Sequence, residues 1–231
     1  MTEKVSPTLV ESVYLRIRED IIRGALPADT KLRIGDLRLR YGVGNSPLRE
    51  ALNRLVSEEL VVSVGQRGFH VPSVSLDELR DLTETRVLIE TEALRRSILA
   101  GDDAWEAGVV AAFYSLSKVE KNRDLESEER ERRNRLFHES LMAACPLKKL
   151  LQVHGILYDL HGRYRAIAIG LDKRRRNLLQ EHEAIYKAAL ARDVETACEA
   201  ARQHIVLTAQ VVEERLESMA RKALRPMAVT K

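Results

Sequence analysis

The sequence predicts a mainly α-helical protein in two parts: a small head of three helices closed by a β-hairpin, then an all-α antiparallel bundle of six to seven helices. Three observations carry this. Apolar residues recur at helical spacing along most of the chain. The β-branched stretch punctuated by glycine is confined to residues near 61–71. Aromatic residues are only 4% of a chain that is 45% hydrophobic, so its cores are built from Leu, Val, Ile and Ala, which favours helices. At 231 residues the chain is long enough to fill two small cores.

The first helix runs from Leu9 to Arg23, with Val10, Val13, Ile17 and Ile21 on one face, and Gly24 stops it before the turn Leu26-Pro27-Ala28-Asp29. Short helices are expected near Gly35 to Tyr41 and Pro47 to Glu58. Val61, Val62 and Val64 precede Gly65-Gln66-Arg67-Gly68, and Phe69-His70-Val71 follow, which reads as two strands around a tip. Residues 72–75 form a linker. Ser75 and Glu78 are spaced as a capping box, and breaks beyond them delimit helices near 76–100, 103–122, 125–144, 147–169, 173–192 and 194–221. The boundaries expected are therefore 1–75 for the head, 76–221 for the bundle and 222–231 for a flexible basic tail.

Several classes fall away on composition. Residues 1–23 lack an apolar signal-peptide core, and no apolar run approaches the roughly 20 residues of a membrane span. Cys145 and Cys198 have neither metal nor redox spacing and read as buried thiols of a reducing compartment. A cytoplasmic protein without a membrane role is expected. The net charge of +3 is too mild to identify a nucleic-acid binder, so any such surface must come from local placement of charge.

That placement occurs around Val43-Gly44-Asn45-Ser46-Pro47-Leu48-Arg49-Glu50-Ala51-Leu52. Pro47 biases Ser46 toward an extended conformation, so Ser46 is expected to cap a helix whose first residue is Pro47. Leu48, Ala51, Leu52 and Leu55 then face a core, which leaves Asn45, Arg49 and Asn53 outward. Arginine matches guanine, asparagine matches adenine, and helix N-terminal N–H groups bind phosphate. Lys31, Arg33, Arg38, Arg40, Arg49 and Arg54 face only Asp36 and Glu50 in this stretch, so positive charge gathers where a duplex would lie. Gln66 and Arg67, at the hairpin tip, can reach the neighbouring minor groove or its phosphates. A capped helix, local basicity and a Gly-bounded hairpin follow in the order of a winged helix-turn-helix that binds double-stranded DNA.

Residues 8–72 resemble the GntR-family winged helix, whose motif is close to Val-Ser-Arg-Thr-Pro-Leu-Arg-Glu-Ala-Leu. Asn45 stands where the arginine is usual and Gly44 where Ser or Thr is usual. The resemblance implies DNA contacts by Arg49, Ser46 and Asn45, an operator of altered base preference, and phosphate contacts by Arg33 and Arg38.

Polar residues intrude on the apolar stripes of the bundle. Arg86 lies among Leu79, Leu82, Ile89 and Ala93; Asn134 and His138 lie with Leu141 and Cys145; His182 and His204 lie on two further stripes. Buried imidazoles need partners, and converging ones can share a metal ion. His154 and His161 also look inward, so periodicity does not choose between the sets. Arg86 has a nearby partner in Glu90, one turn on.

Residues 76–215 resemble the FCD bundle of the FadR-like GntR subgroup, on Arg86-x-x-Ile89-Glu90, Phe137-His138, Arg163-Tyr164-Arg165, Glu181-His182 and His204. The resemblance implies a divalent cation such as zinc or nickel on His138, His182 and His204. The subgroup's Asp ligand falls on Asn134, a poorer ligand that weakens the site or bonds an effector carboxylate instead. It also implies a small carboxylic acid effector, for which Arg86, Asn134 and Arg163 are the candidates, guanidinium forks matching carboxylates. A narrower likeness, on Ser46–Leu52, Gly65–Phe69 and Gly101-Asp102-Asp103-Ala104-Trp105-Glu106, makes the dicarboxylate glutarate the first effector to test.

The sequence thus predicts a transcription repressor, not an enzyme: a homodimer on a near-palindromic operator, released by an acid bound in the bundle. A metal-responsive regulator without an organic effector is the alternative. A metal-dependent hydrolase is the rival from another class, because three histidines with an open position can activate water.

Overall fold

The computed structural model describes residues 7–65, 68–121, 127–168 and 177–223. Its chain divides into two compact units, 1–79 with 158–169 and 216–231, and 80–157 with 170–215.

In the first unit, α1 (Leu9–Ile22) begins where the Thr8 hydroxyl accepts the Glu11 N–H at 3.2 Å, which satisfies one of the free first-turn donors. It buries Val13, Ile17 and Ile21 and packs on α3 (Asn45–Ser57), whose Leu48, Ala51, Leu52 and Leu55 are fully buried. Between them lies α2 (Ile34–Tyr41), closed by Gly42 at φ +69°, a left-handed turn that favours glycine. Polar ties lock the three helices. Tyr14 donates to Glu58, the Tyr41 hydroxyl donates to Asp20 at 2.6 Å, and Arg54 lies over the Tyr14 ring while bonding Glu11.

The expected hairpin is present, but it belongs to a three-stranded antiparallel sheet of order β1-β3-β2. It comprises β1 (Lys31–Leu32), β2 (Val62–Ser63) and β3 (Phe69–His70), with Leu32 and Ser63 both opposite Phe69. Residues 158–168, the end of α7 (Lys148–Ala168), and 216–223, the end of α9 (Val194–Ala223), also belong to the unit. Asp159 accepts from Arg18, Arg163 donates to the Pro72 carbonyl at 2.7 Å, and Gly162 lies so close to Ile22 that a Cβ there would meet its methyl at 2.9 Å.

The second unit is built of helices, with no strand among its described residues. Most of α4 (Leu76–Ala100), α5 (Asp103–Lys121), α6 (Ser127–Leu141), α8 (Leu178–Leu190) and most of α9 (Val194–Ala223) belong to it, with the first half of α7. Leu94, Ile98, Val109, Leu116, Phe137, Leu141, Ile185 and Ala201 make its core, and Phe113 stacks on Tyr186 at 4.2 Å. At the start of α4 the Ser75 hydroxyl accepts the Glu78 N–H at 3.1 Å. No described helix is long and apolar enough to cross a membrane.

Candidate DNA-reading face and cation site

The reading face is built on the first two turns of α3. Asn45, Ser46, Arg49 and Asn53 are all exposed, opposite the buried Leu48, Ala51, Leu52 and Leu55. Ser46 is not the cap, however. The extended residue is Gly44 (φ −73°, ψ 173°), so the helix starts at Asn45 and Pro47 stands third in it. The reason is that a proline anywhere in the first turn sacrifices no intrahelical bond, since those N–H groups have no acceptor one turn back. The N-cap, Gly44, has no side chain to accept from the first-turn N–H groups of α3. Arg33, at the start of α2, and Arg38 on its surface are exposed as well. Gln66 and Arg67 lie outside the described residues; the wing on either side of them closes through the Val64 N–H to the Gly68 carbonyl at 2.9 Å.

In the second unit, three histidines meet. His138 of α6, His182 of α8 and His204 of α9 are all buried, and each offers a ring nitrogen within 4.8 Å of the other two. Their ring centroids are 4.5 to 5.5 Å apart. Every Nδ1 is engaged by a carboxylate: His138 by Glu90 at 3.0 Å, His182 by Glu120 at 2.8 Å and His204 by Glu181 at 2.9 Å. A carboxylate accepts only, so each Nδ1 carries a proton, and in the neutral imidazole the lone pair that can bind a metal is on Nε2. The Nε2 of His182 is buried with no hydrogen-bond partner among the described residues. A cation bound at about 2.0–2.1 Å from each nitrogen would hold them roughly 3–4 Å apart, so nitrogens within 4.8 Å of one another would close by up to roughly 1–2 Å. These residues fit a divalent cation.

Electrostatics favour the neutral ligand. Burial pushes the His138 imidazole down to about 4, and the bond to Glu90 only partly offsets it. Burial alone would raise the Glu90 carboxyl, but the Arg86 guanidinium and the bonds from His138 and His154 outweigh it and hold it well below the usual carboxylate range.

The other predicted site residues divide between the units. Asn134 is half-buried on α6, one turn before His138. Arg86 is buried in the same unit, its Nε on Glu90 at 2.8 Å, so it joins the shell behind His138. Arg163 belongs to the other unit, where it is buried and bonds the Pro72 carbonyl. Of the two further inward histidines, His154 bonds Glu90 at 3.2 Å, while His161 belongs to the other unit. Glu120 and the role of Glu181 escaped sequence reasoning. Glu181 adjoins His182 in the chain yet serves His204, and Glu120 lies 62 positions from the imidazole it holds.

A winged head with an exposed polar recognition helix, joined to a helical bundle around a histidine cluster, defines a DNA-binding transcription regulator. Comparison with known proteins gives the family. Residues 9–71 match the model of bacterial regulatory proteins of the gntR family, and residues 81–207 match that of the FCD domain. The chain belongs to the GntR family, in the branch carrying an FCD domain. It is 37% identical to the HTH-type transcriptional repressor GlaR of Escherichia coli K12 over 87% of this chain and 94% of that one. It is 41% identical to the HTH-type transcriptional regulator BphR of Paraburkholderia xenovorans LB400, over 90% of this chain and 86% of the relative. In fold it matches E. coli McbR/YncC with a TM-score of 0.80 at 20% identity, covering 92% of this chain and 99% of that one. The hydrolase alternative is set aside by this membership: the family and these relatives are transcription regulators.

Proposed function

We propose that the protein is a cytoplasmic, ligand-responsive repressor whose homodimer places two α3 helices in successive major grooves of a near-palindromic operator. Residues 1–75 are the reading head, and 76–221 sense the ligand and dimerise, with 222–231 a basic tail. Arg49, Asn45, Ser46 and Asn53 face base edges, Arg33 and Arg38 face phosphates, and Gln66 and Arg67 contact the neighbouring minor groove or its phosphates. His138, His182 and His204 hold a divalent cation, zinc or nickel, which supplies a Lewis-acidic centre for an anionic ligand. A small carboxylic acid binds there and relieves repression, with glutarate the first to test and Arg86 and Asn134, on α4 and α6 of the same unit, the candidates to grip it.

The observation that carries this reading is the buried three-histidine cluster, with each Nδ1 tied to a carboxylate, inside the FCD domain of a DNA-binding regulator. The test is fluorescence anisotropy of labelled operator DNA with zinc-replete protein. Glutarate is expected to release wild-type protein from the operator and to leave a His182→Ala variant bound. Release of both proteins alike, or of neither by any C4 to C6 dicarboxylate, would overturn the acid-sensing reading. Release by zinc alone would assign the signal to the metal.

A further inference from the structure

The cation site lacks the side chain that would contribute negative charge directly. Asn134 is neutral, so three neutral imidazoles face a doubly charged ion, and a site of that composition holds hard or borderline cations less well than one with a carboxylate ligand. Around this neutral trio the fold nevertheless sets three acids, each from a different helix: Glu90 on α4 and Glu120 on α5, with side chains almost wholly buried, and Glu181 on α8, part-buried. Burying carboxylates is costly unless a positive charge answers them. The three are not equivalent in this respect. Glu90 is answered by Arg86, with which it forms a pair buried on both sides. Glu120 forms no ion pair with Lys or Arg among the described residues. One of its oxygens holds His182, while the other, Oε2, is buried with no hydrogen-bond partner among them.

We infer that Glu90, Glu120 and Glu181 are positioning residues that make His138, His182 and His204 a sufficient cation site without a carboxylate ligand, and that Glu120 carries the largest part of the charge Asn134 withholds. Two effects combine. Each acid favours the Nδ1–H tautomer of its imidazole, which makes Nε2 the ligating nitrogen and orients the ring. Each also makes its imidazole a stronger donor, and Glu120 does so with a negative charge that Arg86 does not neutralise. Glu90 has a second duty as partner to Arg86 and His154, so its loss would remove the counter-charge from a buried guanidinium and damage the fold. Glu120 is therefore the position at which positioning separates from folding.

This inference rests on the three-histidine assignment above but not on DNA release, so the two fail separately. Competition of the full-length protein with a chromophoric chelator gives the zinc affinity, and cobalt substitution gives the visible spectrum of the site. Glu120→Gln keeps an acceptor for His182 but removes the charge, and is expected to weaken zinc about 10- to 100-fold while the zinc-free protein melts as the wild type does. Glu120→Ala removes both and should weaken it further, with a changed cobalt spectrum, and Asn134→Asp in the Glu120→Gln background should recover affinity. Wild-type affinity in both Glu120 variants, with binding lost in His182→Ala, would overturn the compensating role and leave the histidine site standing. Wild-type protein that binds neither zinc nor cobalt would overturn both. If Glu120→Gln lowers the melting point of the zinc-free protein, the Asn134→Asp rescue decides: recovered zinc affinity upholds the inference, and none overturns it.

Discussion

Acidification of the metal-free protein should destabilise it through His138, and by an amount the structure sets. The His138 imidazole titrates near 6.5 in the unfolded chain but is pushed down to about 4 in the folded one by burial. The folded state therefore refuses a proton that the unfolded state accepts. Stability from this group is complete above pH 6.5, falls as pH drops toward 4, and loses nothing more below that. The full difference amounts to roughly 3 kcal/mol, of which roughly 2 kcal/mol is spent between about pH 7 and about pH 5. Glu90 contributes little over that window, because a carboxyl held well below its usual range stays ionised there in the folded protein and nearly so in the unfolded one. Urea denaturation in the presence of chelator, at about pH 7 and about pH 5, gives the loss for wild type and for His138→Gln. Wild type should lose about 2 kcal/mol more than the variant over this range. Equal losses would show that His138 is protonated without penalty, and the account of a dry, neutral ligand cluster would fail.

Other expectations follow from the same structure. Arg49→Ala should weaken operator binding by about 1–3 kcal/mol and relax preference at one base pair, read by anisotropy against single-base operator variants, because Arg49 is exposed on the recognition face. Gly162→Ala should cost about 1–3 kcal/mol in denaturant unfolding, since its Cβ would meet Ile22 at 2.9 Å. Leu52→Ala, at a fully buried site between α3 and the rest of the head, should cost about 2–5 kcal/mol by the same measurement. Zinc at about 100 times its dissociation constant should stabilise the wild type by roughly 2.7 kcal/mol in thermal unfolding, and should not stabilise His182→Ala.

The helices and the recognition face were legible because both depend on periodicity. Val13, Ile17 and Ile21 repeat at helical spacing and are buried, and Asn45, Arg49 and Asn53 fall opposite a buried leucine stripe. Strand β1 was not legible: Lys31–Leu32 is too short to show alternation, and it exists only because β3 offers it a partner at His70 and Phe69. The start of α3 was misplaced by two residues because proline restricts its neighbour statistically, whereas a first-turn proline is tolerated when no acceptor is lost. The histidine cluster could be proposed from sequence only through family likeness, since spacing left His154 and His161 equally eligible. Tertiary structure separates them, placing His154 on Glu90 and His161 in the other unit. The carboxylates behind the ligands were hidden for the same reason: a bond between α5 and α8 leaves no trace in local pattern.

The direct test of the cation site is X-ray absorption at the zinc edge on the full-length protein loaded with one equivalent of zinc. Three imidazole nitrogens at about 2.0–2.1 Å are expected in the wild type, and fewer in each of His138→Ala, His182→Ala and His204→Ala. A wild-type shell with one imidazole or none, or one unchanged by these substitutions, would place the metal elsewhere and remove the basis of the proposed sensor.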